Sequence, residues 1–260
     1  MAFIDTHTHL FSDEFKEDID SVIDNAIKNT VTKFYLPNVD ESSYEEMMRL
    51  SSKYPSNCFP LIGIHPCSVT QNYHQQLDWV KQKVTANKQQ KVFHGIGEIG
   101  IDLYWDKTLE KEQKKAFAEQ IEIAIEFDLP IIIHTRNAFN EAFEIVSAYK
   151  QTSLKGIFHC FSGTITDAEK VISLNTFKLG IGGVLTFKNS GLDKVVELLD
   201  LKHLVLETDS PYLAPTPYRG KRNESKYLTL IATKLAEIKK VSVDDVAAIT
   251  TKNAIEILGN

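Results

Sequence analysis

The feature that most constrains this chain is an unbroken alternation. Short β-branched or aromatic runs, each followed by an amphipathic helix-forming run, repeat from one end to the other. Strands are predicted at residues 3–5, 33–36, 59–63, 92–97, 130–134, 156–159, 177–182 and 203–207. Helices are predicted at 14–29, 43–53, 75–86, 109–127, 140–150, 166–174 and 192–199, and two more, 224–239 and 242–258, follow the last strand. Strands separated by helices require right-handed crossovers and a parallel sheet, and eight such units are the number that closes a barrel. The expected fold is therefore α/β, a (β/α)₈ or TIM barrel, forming a single domain over residues 1–260. An open doubly wound sheet is the alternative. The units run the whole length and no Pro/Gly/Ser-rich linker divides them, which favours the barrel.

Composition narrows the setting. No run near the N-terminus has the unbroken apolar core of an export signal, because Asp5, His7 and His9 interrupt it. No stretch approaches the roughly 18 apolar residues of a membrane span. Cys58, Cys67 and Cys160 are sparse, odd in number and without paired spacing, which fits a reducing compartment. A soluble, cytoplasmic protein is expected. No membrane partner and no obligate protein partner can be inferred. The formal net charge of −6 argues against broad electrostatic capture of nucleic acid but leaves room for a locally basic phosphate site.

Chemistry enters at the strand ends. His7-Thr8-His9 directly follows the first strand, and residues i and i+2 of an extended segment project to one side, so two imidazoles can converge on one ion. Such a pair alone is weak evidence. In a parallel barrel, however, the loops after the strands share one mouth. His65 falls after strand three, Glu98 after four, His134 after five, His159 after six and Asp209 after eight. Five of the eight histidines thus meet two carboxylates at one rim, whereas His74 opens a helix, His94 lies within strand four and His203 opens strand eight. The set His7, His9, Glu98, His134, His159 and Asp209 exceeds what one tetrahedral zinc takes. Two divalent ions sharing a bridging carboxylate account for the surplus. Their identity stays open among zinc, manganese, iron, nickel and magnesium, although magnesium ordinarily takes more oxygen ligands.

Two features point elsewhere. Residues 95–100 match G-x-G-x-x-G after a strand, but an aromatic-rich segment follows in place of the helix that would hold a pyrophosphate. The glycines are better read as letting the backbone bend so that Glu98 reaches the ions. Cys160, beside His159, points to the opposite face of an extended chain and is expected to pack and not to attack substrate. Arg136, two residues past His134, and the cluster Arg219, Lys221 and Arg222 in the loop after strand eight suit an anionic substrate, particularly phosphate, unless they are solvated loop charges. Asn38, at the end of strand two, is a further candidate for the mouth.

These segments resemble the TatD family of metal-dependent deoxyribonucleases, within the wider amidohydrolase-like barrels. The similar stretches are FIDTHTHL (3–10), GIHP (63–66), GEIGIDLYW (97–105), IIIHTRNA (131–138), FHCFSG (158–163), GIGGVLTFKNS (180–190), LETDSPYLAP (206–215) and RGKRNES (219–225). They span nearly the whole chain, with no departure at a ligand position; Thr8 and Leu103 stand where relatives vary. The resemblance implies that His7, His9 and Asp209 hold one ion, that His134 and His159 hold the other, and that Glu98 bridges them. It further implies that His65, Arg136 and Arg222 face substrate, with Glu207 as an acidic neighbour.

The expected activity is two-metal hydrolysis of a DNA phosphodiester, at ends or single strands, with Glu98 and Asp209 as the catalytic carboxylates and Asp209 accepting a proton. The nearest rival is a hydrolase of an amide, ester or lactone on the same scaffold. A carboxylated lysine bridging the ions would favour it, but strand four supplies Glu98. A non-catalytic nucleic-acid-binding protein is the rival of another class, and a missing ligand would favour that one.

Overall fold

The computed structural model describes residues 2–259. Its eight strands are β1 (Phe3–Asp5), β2 (Val31–Pro37), β3 (Cys58–Leu61), β4 (Ile96–Asp102), β5 (Ile131–Arg136), β6 (Gly156–Phe158), β7 (Phe177–Ile181) and β8 (Leu204–Leu206). The intervening helices are α1 (Ile19–Lys28), α2 (Tyr44–Lys53), α3 (Tyr73–Ala86), α4 (Glu110–Phe127), α5 (Phe139–Ala148), α6 (Ile165–Ile172) and α7 (Leu192–Leu198), and α8 (Leu228–Lys239) and α9 (Val243–Leu258) follow. Every strand pair is parallel, in two arcs ordered β1-β2-β3 and β4-β5-β6-β7-β8. A parallel bridge between Ile62 and Ile96 joins the arcs at one seam. At the other, the Thr6 amide donates to the Leu206 carbonyl at 3.1 Å. The fold is the expected (β/α)₈ type.

The strands are buried on both faces, as near-continuous apolar runs such as Ile131-Ile132-Ile133 require. Outward-facing residues pack against the helices in a large core. Inward-facing Ile4, Tyr35, Phe59, Leu61, Ile132, Ile157 and Val205 form a separate cluster, which Ala254, Ile257 and Leu258 of α9 complete. This helix lies across the N-terminal ends of the strands. Its Thr251 hydroxyl donates to the Ala2 carbonyl at 3.0 Å, and the Asn253 amide donates to the carbonyls of Leu201 and Leu204 at 2.8 and 2.7 Å. A Ser242–Asp245 capping box starts it.

Strand four departs from expectation in a way that shapes the mouth. It begins at Ile96 and continues to Asp102, so His94 precedes the strand, and Glu98 lies within it. The register against β5 slips between Ile96 and Ile99, and Gly100 sits at φ 145°, where a Cβ would lie 2.0 Å from the His134 carbonyl oxygen. The glycines that suggest a turn in the sequence instead allow a bulged, close-packed strand. Helix α1 likewise starts at Ile19, because residues 13–15 form a short 3₁₀ turn.

Candidate active site

The exits of β1 and β8 are laced together. Asp209 N–H donates to the His7 carbonyl at 2.9 Å, and His9 N–H to the Ser210 carbonyl at 2.8 Å. Below them, the buried Asp5 carboxylate accepts from the Thr208 amide and hydroxyl at 2.9 and 2.6 Å, and burial raises its pKa to about 7. This lacing carries Asp209, itself in the left-handed region at φ 56°, to the imidazoles of His7 and His9. His7 Nε2 and His9 Nε2 approach to 3.2 Å, and each lies 3.6 Å from Asp209 Oδ1.

Glu98 occupies the centre and divides the mouth between its two oxygens. Its Oε2 faces His7 Nε2 at 3.3 Å and His9 Nε2 at 3.5 Å. Its Oε1 faces His134 Nδ1 at 2.8 Å, His159 Nε2 at 3.0 Å and His65 Nε2 at 3.5 Å. Three sets of donors converge closely enough to hold a cation: His7, His9 and Glu98; His7, His159 and Asp209; and His65, Glu98 and His134. The mouth opens into a cavity of about 910 Å³ whose wall carries six carboxylates, Asp13, Asp40, Glu46, Glu98, Asp102 and Asp209, against the single guanidinium of Arg136.

The electrostatics ask for positive charge. Burial opposes ionisation of Glu98, yet His65, His159 and His7 outweigh it and hold the carboxyl well below the usual range. Burial likewise opposes charging His159, but Glu98 and Glu207 raise it well above the usual imidazole range. His7 is lowered, chiefly by burial and then by the neighbouring His159. Neighbouring imidazoles pushed in opposite directions around carboxylates cannot all be satisfied by protons. The buried Nδ1 atoms of His7 and His9 have no hydrogen-bond partner, so their Nε2 lone pairs are not fixed by a proton on a committed tautomer. A convergent set of imidazole and carboxylate donors of this kind fits divalent cations.

A sequence model of the TatD-related DNases matches residues 4–259. The chain belongs to the TatD family. It is 36% identical to the metal-dependent hydrolase YabD of Bacillus subtilis strain 168, covering 96% of each chain, and 30% identical to YcfH of Escherichia coli K12, covering 97% of this chain and 94% of that one. The crystal structure of YjjV, a TatD homologue from E. coli K12, superposes with a TM-score of 0.88 at 25% identity, covering 99% and 98% of the two chains. A phosphotriesterase homology protein from E. coli, solved with phosphate in its active site, shares the fold at a TM-score of 0.74 and 15% identity, covering 100% and 99%. The chain is accordingly a metal-dependent hydrolase of the TatD family.

Within this TatD site the structure brings together His7, His9, Glu98, His134, His159 and Asp209. His65 also reaches Glu98, but its Nδ1 accepts from the Cys67 amide at 3.1 Å, which leaves the proton on Nε2. His65 is thus a donor toward the centre. Glu207 is fully buried, with Oε1 3.4 Å from His159 Nδ1, close enough for charge interaction but not aligned as a hydrogen bond; its stronger contact is a short bond from the Cys160 amide. Cys160 corrects the sequence reading, for it lines the cavity. Burial, followed by the charges of Asp209 and Glu207, pushes its thiol well above the ordinary range, so it stays protonated.

Arg136 lines the cavity, but Arg222 does not. The Arg222 guanidinium grips Asp18 at 2.9 and 2.6 Å, contacts Glu224 at 3.2 Å, donates to the Glu14 carbonyl and lies over the Phe15 ring. It fastens the loop after β8 to the start of α1. Asn38 is buried away from the cavity, donating to the Gly63 and Asp40 carbonyls. His94 packs edge-on against Phe59 and Tyr35 near the floor, and His74 is exposed.

One residue of this TatD site escaped the sequence reading. Asp102 Oδ2 meets His134 Nε2 at 2.9 Å, leaving Nδ1 to face Glu98, and its carboxyl is held down to about 2, with His134 and the Tyr104 amide overcoming burial. A carboxylate on the far nitrogen fixes an imidazole's tautomer and orientation. The signal was available in period-two alternation, which places Glu98, Gly100 and Asp102 on one face of the strand.

Proposed function

We propose that this chain is a two-metal phosphodiesterase acting on DNA, a deoxyribonuclease on one barrel domain. The observation that carries the reading is the division of Glu98, whose Oε2 faces His7 and His9 while Oε1 faces His134 and His159. His7, His9 and Asp209 would hold one divalent ion, His134 and His159 the other, with Glu98 between them. Bound there, such ions lower the pKa of water and neutralise charge on a phosphoryl group. The protein's own groups supply the rest. Asp209, held as a carboxylate although burial opposes it, is the acceptor for the nucleophile's proton. His65 Nε2–H donates toward the centre, where a phosphoryl oxygen would sit, and Arg136 binds phosphate at the cavity wall.

The acidic lining favours a second reading, hydrolysis of an amide, ester or lactone, since six carboxylates and one arginine suit a less charged substrate than a polynucleotide. The test is reconstitution with manganese or zinc, metal counting per chain, and turnover of DNA against a panel of amides, esters and lactones. Two ions per chain with DNA cleavage supports the nuclease. Turnover confined to the carbonyl panel replaces it with the second reading.

A further inference from the structure

Immediately after β4 the chain exposes two aromatic residues at the edge of an otherwise buried segment. Leu103 is buried, but Tyr104 is 50% exposed and Trp105 is 71% exposed and lines the cavity. The pair is not loosely held. Asp102 Oδ1 accepts from the Tyr104 and Trp105 amides at 2.9 and 3.4 Å, so the carboxylate that orients His134 also sets this segment. The rings meet edge to face at 4.9 Å. The Arg136 guanidinium carbon lies over Tyr104, 3.7 Å from its ring centroid, and 5.1 Å from that of Trp105. Among the described residues no carboxylate forms an ion pair with Arg136, whereas Arg222 is fully engaged by Asp18 and Glu224. The one guanidinium in the cavity wall therefore lies against an aromatic ring and is free to take an anion.

We propose that Trp105, supported by Tyr104 and Arg136, is a stacking subsite for an unpaired nucleobase adjacent to the phosphate being cleaved. This rests on the nuclease reading. A flat π-face left open to solvent next to an unpaired planar guanidinium matches the alternation of base and phosphate along a nucleic-acid strand. Neither a peptide nor a lipid headgroup presents that alternation. Stacking also answers the acidic lining, because it holds the strand through its neutral bases where charge attraction is weak. A base inside a duplex has both faces covered, so the subsite takes a base only from a strand or frayed end that is already unstacked.

The experiment uses the metal-loaded enzyme with manganese. Single-stranded oligothymidylate is compared with a strand of equal length whose terminal nucleotides are abasic, for the parent, Trp105→Ala and Trp105→Phe. The parent should show a KM lower for the base-bearing strand by roughly 5- to 150-fold, the range for one base–aromatic stack. Trp105→Ala should abolish that difference with metal content unaltered, and Trp105→Phe should restore most of it. Since the only other tryptophan, Trp79, packs against Tyr44, a Trp79→Phe background leaves Trp105 as the sole indole reporter, and its fluorescence should quench on adding the base-bearing strand. Equal KM values for the two strands, or no change in Trp105→Ala, would overturn the subsite and leave the nuclease reading standing. A doubly loaded enzyme that cleaves neither strand, nor duplex DNA, would overturn both.

Discussion

The two ends of the barrel are built on opposite principles. At the floor, Ile4, Tyr35, Phe59, Ile132, Ile157 and Val205 close against the last two turns of α9, and the polar atoms there are paired, as in the Tyr35 hydroxyl's bond to the Gly259 carbonyl at 2.9 Å. At the mouth, His7, His9, Glu98, Asp102 and His159 are equally buried, yet the Nδ1 atoms of His7, His9 and His159 lack partners and like donors face each other. Buried unsatisfied polar groups cost stability, so the mouth is a region the floor must support. The lesson is a division of labour. Stability resides where α9 plugs the barrel, and chemistry resides where packing rules are broken.

The largest effect that would test this division comes from Glu98→Gln. The amide keeps shape and volume but cannot bridge two repelling cations, so hydrolysis should fall on the order of 10³-fold, with loss of one ion per chain. The fold should survive, since the apolar cluster at the floor is untouched. Metal stoichiometry, circular dichroism and turnover measured together decide it; a folded variant retaining both ions and parent activity removes Glu98 from the centre. The mirror experiment is at the floor. Ile257→Ala should cost roughly 2–5 kcal/mol in denaturant unfolding through a cavity under the plug, with kcat at parental level once metal is bound. A large kcat loss in a folded Ile257→Ala enzyme would mean that the two ends are not independent.

Asp102→Asn probes a smaller term, the orientation of His134. Metal affinity should weaken by about 10–100-fold, with less effect on unfolding midpoint than Ile257→Ala. Unchanged affinity in a metal titration would assign Asp102 to the loop alone. The smallest effect is expected from Arg222→Ala. Its partners are partly exposed, so the loss should be about 0–1 kcal/mol of stability, with KM for a nuclease substrate unaltered. A raised KM at intact stability would return Arg222 to the substrate-facing role that family resemblance implies.

The fold was legible because the evidence for it is local. Strand and helix periodicities are properties of short windows, and eight repeats leave few topologies. The donors were legible because a strand-end position in a barrel is also a position at the mouth, whereas the grouping of His134 with His159 across Glu98 came from the family resemblance alone. The limits of β4 were not legible, since glycines at 95, 97 and 100 read as punctuation until the strand beside them is known. Cys160 was misread for a similar reason. Its backbone leaves the extended region, at φ 47°, so the alternation that would turn it away from the cavity does not apply.

The sequence by itself determined the barrel, the candidate donors at its mouth and the family, because each depends on residue identity at fixed chain spacing. Only the tertiary structure decided which of two plausible arginines faces the cavity. Arg136 is oriented by Tyr104 across the β4–β5 register, whereas Arg222 is captured by Asp18, 204 positions away. It also decided that Asp102 holds both His134 and the aromatic rim. Such choices turn on whether a partner from a distant segment arrives within about 3 Å, and chain spacing does not encode that distance.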